Sequence, residues 1–565
     1  MKVDNVNPTK SFQLFRTRYS GLRGGLIDRY RTLLIFLIIS TGLFLRLYTV
    51  NFGLPAIYDP DELMFQLGAV RMLRDGNLNP GWFGHPATTT MYLLALIDVL
   101  VFFAGLAAGM FASVAQFGEL IYSNPTWVIL PGRISMVIFS VGTLFLIYKL
   151  ARISLNSFSA IAASLLLAWS PLHVSYSQVI RSDMMAVFFM LLTMLCAFRI
   201  TQDCSRKTLA GAAVWTALAI ATKWPFALSG LSVAAAIIWF GRSHGVATRE
   251  TMFTLAVYGA GTVALLLFIS PYLWLEHETV FRNLTGEAQM VHLGANGGNP
   301  LENAWWYISE PLQYALGLPA LLFAIWGAWL LRHTAFFIAV LLPLMAGFLT
   351  IICFQSIIWD RWALPLLPPL AILAGYGFSN FWKYLVSRLS TTHAKIIIAG
   401  ATILTVITPL LGARDLTASR MNDTRAIASQ WARAHVPSGS TVLIEHFALD
   451  LVEEPWRFLF PLGTAGCVDA HFFLEQKVDY RKIDQMRGLR SNVDYGTLEP
   501  SLRGTCKADF AILTQYRRYR AEKSIFPQEY SAYEALVASG RIVAEFKPEK
   551  GQSGGPEVTI VSFRK

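Results

Sequence analysis

The chain has 565 residues, 54% of them hydrophobic, and a mean hydropathy of +0.46. A water-soluble protein of this length cannot bury so much apolar surface, so the composition predicts a protein that crosses a membrane many times. The formal charge of +11 does not indicate nucleic-acid binding, because no module of basic and aromatic residues stands out and because lysine and arginine collect in cytoplasmic loops of membrane proteins.

The first apolar run begins near Leu33 and follows a long polar segment. No small-residue cleavage site follows this run, which therefore predicts a retained anchor and not a removable signal peptide. Residues 1–32 carry several basic side chains and predict a cytoplasmic N-terminus.

Eleven apolar runs predict the membrane spans of a helical module over residues 33–411. The loops that this count places inside are basic, whereas the loops that it places outside carry acidic and mixed-charge motifs. The predicted spans are residues 33–50, 128–150, 157–175, 184–200, 208–222, 225–240, 252–271, 312–331, 335–354, 363–382 and 395–411.

One more apolar run, residues 88–111, lies in the first outer loop, residues 51–127. Counting this run as a crossing would place every later basic loop outside, and Asp98 in its middle is costly for a span that faces lipid. We therefore expect the run to lie along the outer interface or to re-enter the membrane from the same side.

The segment from residue 412 to residue 565 is polar, with short apolar stretches between two segments of helical spacing. This pattern predicts a small α/β domain, and the span count places it outside the cytoplasm. Cys467 and Cys506 lie in this segment and are able to pair if it faces an oxidising compartment.

The acidic sequence Tyr58-Asp59-Pro60-Asp61-Glu62 follows the first span. Its structural interpretation is a helix start, with Asp59 as N-cap, Pro60 in the first turn and Glu62 in a capping box. Its functional interpretation is a catalytic pair, because a carboxylate beside a membrane cavity can act as general base for an acceptor hydroxyl.

His85, Arg181 and Asp183 fall on the same outer face in the predicted topology. His85 is either a loop anchor or a donor to a phosphate or a sugar hydroxyl. Arg181 and Asp183 either form a local ion pair or cap the next helix, or they face the same cavity as Asp61.

Lys223 and Arg361 are the remaining candidates on this face. Lys223 interrupts an apolar stretch, where it either snorkels to lipid headgroups or binds the phosphate of an anionic lipid. Arg361 either pairs with the adjacent Asp360 or contacts a phosphate. Nucleotide-binding and metalloprotease motifs are absent from the sequence, and no metal cage is evident, so we predict no essential cofactor or metal.

At these motifs the chain resembles the GT-C membrane glycosyltransferases, in the branch of dolichyl-phosphate-mannose protein mannosyltransferases and bacterial lipid A aminoarabinose transferases. The order and spacing of the motifs along most of the chain carry the resemblance. The motifs are PDELMF, GHPATTTMYLLAL, RSDMMAVFF, TKWPFAL, RWALPLLPPLAILAGYG and DTRAIASQWARAHVPSGSTVLIE. One departure is Ala87, where the family usually has a second proline, and it weakens the role inferred for His85.

The resemblance implies a mainly α fold of GT-C type, with outer interfacial helices, and a sugar donor linked to polyprenyl phosphate. Asp61 would be the general base and Glu62 would orient the base or the acceptor. Lys223, Arg181 and Arg361 would bind the phosphate, while Asp59, His85 and Asp183 complete the substrate-binding set. The resemblance also implies a bacterial inner membrane and an acceptor that is a protein, lipid A or a cell-envelope glycan.

Two other classes fit a chain with many spans. A secondary transporter also places charges inside a membrane, although such proteins tend to show internal repeats, which this sequence lacks. An assembly protein would use its C-terminal segment for binding and its charges only to cap helices. The sequence does not specify the sugar.

Overall fold

The computed structural model describes residues 24–564 except 87, 289, 446–448, 452, 472–485 and 487–492. Most of the predicted cytoplasmic N-terminus, and Ala87, lie outside the described residues. The architecture is a bundle of long helices followed by a small domain with one mixed sheet, which confirms the predicted mainly α membrane protein with a C-terminal α/β domain.

Within the described residues, nine helices are long and apolar enough to cross a membrane, and two bent helix pairs bring the number to eleven. Ten of the predicted spans coincide with one of these helices or pairs; the remaining one, residues 208–222, is a helix of 17 residues. The long helices of the bundle are Gly24–Leu47, Thr88–Ala107, Thr126–Ser154, Ser157–Ala168, Ser182–Ile200, Arg206–Thr222, Ser229–Ser243, Thr248–Ile269, Leu318–Leu331, Leu342–Cys353, Leu367–Arg388 and Thr391–Met421.

Other helical segments connect these helices or extend their ends. The remaining α-helices of the bundle are Pro60–Asp75, Val114–Ser123, Pro171–Ser177, Tyr272–Leu275, His277–Glu287, Pro300–Tyr307 and Gln313–Leu316. The 3-10 helices Trp224–Leu228 and Asp360–Leu366 and the π-helices Ile308–Leu312 and Phe336–Leu341 complete the bundle.

The helix Thr88–Ala107 is the additional apolar run, and by length and composition it could cross a membrane. The chain nevertheless returns to the face from which this helix starts. Thr89 contacts Thr222 at the start of the helix, and Arg133, soon after the helix, contacts Glu62 on the same face. The intervening helix, Val114–Ser123, has 10 residues and is about 15 Å long, which is too short for a return crossing. The interfacial or re-entrant placement of this helix stays a prediction.

A 60° bend separates the helices Ser157–Ala168 and Pro171–Ser177. Ser170 caps the second helix, and Pro171 suits its first turn. The side chain of Arg46 donates to the carbonyl oxygen of Ala168 at 2.9 Å and lies 2.8 Å from His173 Nδ1. A helix break frees backbone carbonyl groups, and inside a membrane these groups must find another hydrogen-bond donor. Arg46 is that donor for Ala168 and so stabilises the bend.

Two glycines let the helices Leu318–Leu331 and Leu367–Arg388 touch at their backbones. A methyl group at Gly327 would overlap the carbonyl oxygen of Leu373, and one at Gly377 would overlap that of Phe323. Small residues at a helix crossing allow this close packing in membranes. The contact holds the helix that follows Arg361 firmly in the bundle.

The C-terminal domain begins after the last bundle helix, which extends to Met421 and so passes the predicted boundary at residue 411. Its sheet has the order β3-β2-β1-β4-β6-β5, with β2, β1 and β4 parallel and the other pairings antiparallel. A disulfide joins Cys467 and Cys506, as predicted. The strands are β1 Thr441–Ile444, β2 Arg457–Pro461, β3 Cys467–Asp469, β4 Phe510–Leu513, β5 Arg541–Phe546 and β6 Val558–Ser562, with helices Thr424–His435, Tyr516–Ala521 and Pro527–Ala538 and the 3-10 helices Gly463–Ala465, Tyr495–Thr497 and Pro500–Cys506.

Candidate active site

The helix Pro60–Asp75 places the acidic motif at one face of the bundle, which we call the Asp61 face. Asp59 is its N-cap and accepts a hydrogen bond from the Asp61 amide at 3.1 Å. Asp59 also accepts two hydrogen bonds from the Arg181 guanidinium, at 2.8 and 2.9 Å. Asp59 therefore caps the helix and fixes Arg181 at the same time.

Asp61 lies between two arginines. Its Oδ2 atom is 2.5 Å from Arg181 Nη1 and 3.3 Å from Arg361 Nη1. No donor from the described residues contacts Oδ1, and the side chain is 30% exposed. One carboxylate oxygen is thus held by cations while the other is open to a ligand.

Glu62 points away from this open position and into the bundle. Its side chain is fully buried and receives two hydrogen bonds from Arg133, at 2.7 and 2.8 Å, and one from the Ile180 amide at 2.8 Å. Burial raises the pKa of the Glu62 carboxyl, and Arg133 opposes that shift. This environment suits a structural anchor better than the predicted catalytic partner of Asp61.

Lys223 and Asp183 form a second ion pair, with a distance of 2.7 Å between Nζ and Oδ1 and both side chains almost fully buried. Lys223 follows the helix Arg206–Thr222, and its backbone pairs with Pro86 in an antiparallel bridge. The amide of Trp224 donates to the carbonyl oxygen of His85 at 3.2 Å. The chain around Lys223 therefore also fixes the position of His85.

His85 lies beside the charges of the site. Burial, reinforced by the positive charge of Lys223, lowers the pKa of the His85 imidazole to about 3, although Asp61 opposes this shift. The ring packs edge-on against Trp82 at 5.1 Å, and its Nδ1 atom has no hydrogen-bond partner within the described part of the chain. His85 is consequently a neutral group whose buried Nδ1 atom is unsatisfied.

Arg361 is a cation of the site with an unsatisfied nitrogen. Its guanidinium lies 4.8 Å from the centre of the Trp359 ring, and its buried Nε atom lacks a partner among the described residues. The predicted alternative of an Asp360–Arg361 side-chain pair is wrong, because Asp360 instead accepts from the Tyr176 hydroxyl at 2.6 Å. The local pairing of Arg181 with Asp183 is wrong for the same reason: each has a different partner.

Four residues that the sequence analysis did not select complete the surroundings. Arg420 lies 3.5 Å from the centre of the Phe52 ring and Arg425 lies 3.9 Å from that of Tyr58. Arg133 and Tyr176 contribute the contacts described above. Of the four, Arg133 carried a usable signal, because an arginine inside an apolar run usually has a partner or a function.

The predicted site residues are thus brought together, except that Glu62 faces Arg133 instead of the open position. Asp59, Asp61, Arg181 and Arg361 form one continuous charged group, with the Lys223–Asp183 pair and His85 beside it. Among the residues that the structure describes, no three His, Cys, Asp or Glu side chains lie close enough together to hold a metal ion.

Residues 108–274, less than a third of the chain, match the family model described as dolichyl-phosphate-mannose-protein mannosyltransferase. Over this range the chain is similar to that family. Arg133, Arg181, Asp183 and Lys223 lie inside the matched range. No curated protein sequence matches the chain.

Among solved structures, the oligosaccharyltransferase of Archaeoglobus fulgidus tethered with an acceptor peptide matches with a TM-score of 0.50 and 9% identity, over 95% of this chain and 74% of that one. ArnT of Cupriavidus metallidurans matches with a TM-score of 0.48 over 94% of this chain and 98% of that one, at 14% identity in the apo state and 12% when bound to undecaprenyl phosphate. The match to the oligosaccharyltransferase shows that the chain shares its fold.

Proposed function

We propose that the protein is an inverting glycosyltransferase that moves a sugar from a polyprenyl-phosphate donor to an acceptor hydroxyl at the outer face of a membrane. The observation that carries this proposal is Asp61, an open carboxylate between Arg181 and Arg361. The family description of residues 108–274 supports the donor class, because it names a sugar on a lipid phosphate.

Asp61 acts as the general base in this proposal. Its open Oδ1 takes the proton of the acceptor hydroxyl while the hydroxyl oxygen of the acceptor attacks the anomeric carbon of the sugar. The bond from the anomeric carbon to the phosphate oxygen breaks on the opposite side, and polyprenyl phosphate leaves with the bonding electron pair. The two arginines hold Oδ2 and orient the carboxylate for this step.

The leaving phosphate requires cations whose charge is not fully neutralised. Among the three predicted phosphate-binding residues, Arg361 meets this need best, because Asp61 is its one carboxylate partner among the described residues and its Nε is unpartnered. The charges of Lys223 and Arg181 are more fully neutralised, by Asp183 and Asp59 respectively. These ion pairs hold the two cations in place, where they add positive potential at the phosphate. Fixed charges that are oriented before the reaction stabilise a developing anion efficiently.

The remaining candidates position the reacting groups. Glu62 ties the Asp61 helix to Arg133, and Asp59 orients Arg181. His85 is neutral, so it is a hydrogen-bond partner for a sugar hydroxyl and not a cation for the phosphate. These assignments require no metal ion for any step.

The span count and basic loops support a cytoplasmic N-terminus, a C-terminal domain on the outer side and, with the resemblance, a bacterial inner membrane. Acceptors of the proposed reaction are proteins, lipid A or envelope glycans, all of which present hydroxyl groups on that side.

Mass spectrometry of lipids and glycoconjugates tests the proposal directly. Cells with the native gene, a deletion or the Asp61→Asn variant are compared. If the protein is this enzyme, cells with the deletion and cells with Asp61→Asn should accumulate the same polyprenyl-phosphate sugar and lose the same glycoconjugate. A secondary transporter instead predicts an unmodified set of glycoconjugates and altered uptake of a solute, which would overturn the proposal.

A further inference from the structure

A loop segment of the membrane module, residues 292–299, is built into the C-terminal domain; we call it the strap. Leu293 is 2% exposed and packs in the hydrophobic core of that domain, with Leu443 of β1, Leu459 of β2 and Tyr519. A side chain from one module that completes the core of another fixes the two modules together, since its withdrawal would leave a cavity.

Polar contacts from the C-terminal domain hold the backbone of the strap. The Glu522 carboxylate accepts from the Gly294 amide at 2.9 Å and from Asn296 Nδ2 at 2.7 Å. Arg518 donates to the carbonyl oxygen of Leu293 at 3.1 Å. Hydrogen bonds with a charged partner are the stronger kind, so Glu522 is the principal clamp.

The opposite edge of the strap pairs with the segment that leads to Arg361. The Gly297 amide donates to the Ser356 carbonyl and the Ile358 amide donates to the Ala295 carbonyl, both at 2.8 Å. Asn296 and Ile357 form an antiparallel bridge. The path from the C-terminal domain to residue 358 therefore consists of side-chain hydrogen bonds to the strap, followed by backbone hydrogen bonds from the strap to residues 356 and 358.

The indole ring of Trp359 connects the strap to the site through two contacts. His292 packs edge-on against Trp359 at 4.9 Å, and the Arg361 guanidinium lies over the same indole ring at 4.8 Å. Arg361 then contacts Asp61. Trp359 is thus held between the strap and the arginine that the proposed function assigns to the donor phosphate.

We propose that the C-terminal domain positions Arg361 through the strap, with Glu522 and Leu293 as positioning residues. The role of Arg361 in this inference rests on the proposed function, whereas the mechanical connection does not. The C-terminal domain is then a structural part of the active site. Release of the C-terminal domain from the strap would allow residues 356–361 to move and would lower the affinity of the protein for the donor.

The Glu522→Ala variant tests the connection between the C-terminal domain and Arg361 without leaving a cavity in the hydrophobic core. Lys523→Ala, at an exposed neighbouring position, is the matched control. Hydrogen exchange of the full-length protein is measured at the Gly297 and Ile358 amides and in β1 and β4. We expect faster exchange at Gly297 and Ile358 in Glu522→Ala, with β1 and β4 unchanged. Unchanged exchange at those two amides, or faster exchange throughout the domain, would overturn the inference.

Kinetics of the same variants separate this inference from the proposed function. Glu522→Ala should raise the KM for a polyprenyl-phosphate sugar by roughly three- to tenfold, the size of a typical coupling between linked sites, with kcat changed less. In an Arg361→Ala background Glu522→Ala should add no further change, because both act through one side chain. Full additivity would contradict the connection, whereas an unchanged KM in Arg361→Ala alone would contradict the phosphate assignment.

Discussion

Neighbouring carboxylates in the sequence Asp59-Pro60-Asp61-Glu62 have three different environments. Asp59 is held by Arg181, Asp61 keeps one oxygen open, and Glu62 is fully buried against Arg133. The helical geometry causes this division, because successive residues on a helix point in different directions. The motif was therefore identifiable from the sequence, but the role of each carboxylate depended on partners that lie far away along the chain.

The Glu62→Gln variant should lose stability. The substitution leaves the buried guanidinium of Arg133 without its counter-charge, and breaking such a pair costs about 3 kcal/mol or more. Thermal unfolding in detergent should show a clear decrease in Tm, whereas Asp75→Asn at the exposed end of the same helix should leave the Tm near the native value. A native Tm in Glu62→Gln would contradict the anchor role.

The pH dependence of the reaction should lack a contribution from His85. Because the pKa of His85 is lowered to about 3, its imidazole is neutral throughout the range from about pH 5 to about pH 8 in which a histidine ordinarily titrates. The pH profile of kcat/KM should therefore have the same shape in the native protein and in His85→Asn, with a lower height in the variant. Loss of an inflection near neutral pH in the variant would argue for a titrating His85.

At the scale of elements, the apolar runs predicted the long helices well, because the length of an apolar run can be counted directly in the local sequence. The breaks were not predicted. The 60° bend after Ala168 depends on Arg46, which lies 122 residues earlier in the chain. Likewise, the order of the six strands depends on their pairing, which a local pattern does not contain.

The Lys223–Asp183 pair connects two helix ends, and its structural and functional contributions are separable. Lys223→Met should lose stability because it leaves Asp183 buried without a counter-charge, and a second change, Asp183→Asn, should restore part of the loss. Donor affinity should stay low in both variants if Lys223 also contributes potential at the phosphate. Thermal unfolding and donor binding check the two parts, and native donor affinity in the double variant would limit Lys223 to a structural role.

The C-terminal domain should be more stable in mild acid than at neutral pH. Burial and the nearby Glu445 raise the pKa of Asp494 to about 7, so the folded domain binds a proton that the unfolded chain releases near its ordinary pKa of about 4. The stabilisation is complete below the unfolded pKa and is lost as the pH rises through about 7. Hydrogen exchange in β1 and β4 should therefore slow from pH 8 to pH 5 after correction for intrinsic rates, and less so in Asp494→Asn.

At the scale of the whole molecule, one face of the bundle collects the charged motifs from distant parts of the chain. The sequence predicted this gathering from the alternation of basic and acidic loops, since topology follows charge. It did not predict which cation would meet which carboxylate, because Arg181 and Arg361 approach Asp61 across 120 and 300 residues of chain, and folding alone brings them together. The contribution of the C-terminal domain to this face, through Arg425 and the strap, was equally outside the reach of local patterns.

The most direct test of the central claim is a comparison of turnover and donor binding in Asp61→Asn. The purified variant is assayed for transfer from a polyprenyl-phosphate sugar, and its affinity for that donor and its Tm are measured beside those of the native protein. If Asp61 is the general base, turnover falls by roughly 10²–10⁴-fold, while the Tm and the donor affinity remain close to native. Turnover near the native level would contradict the account.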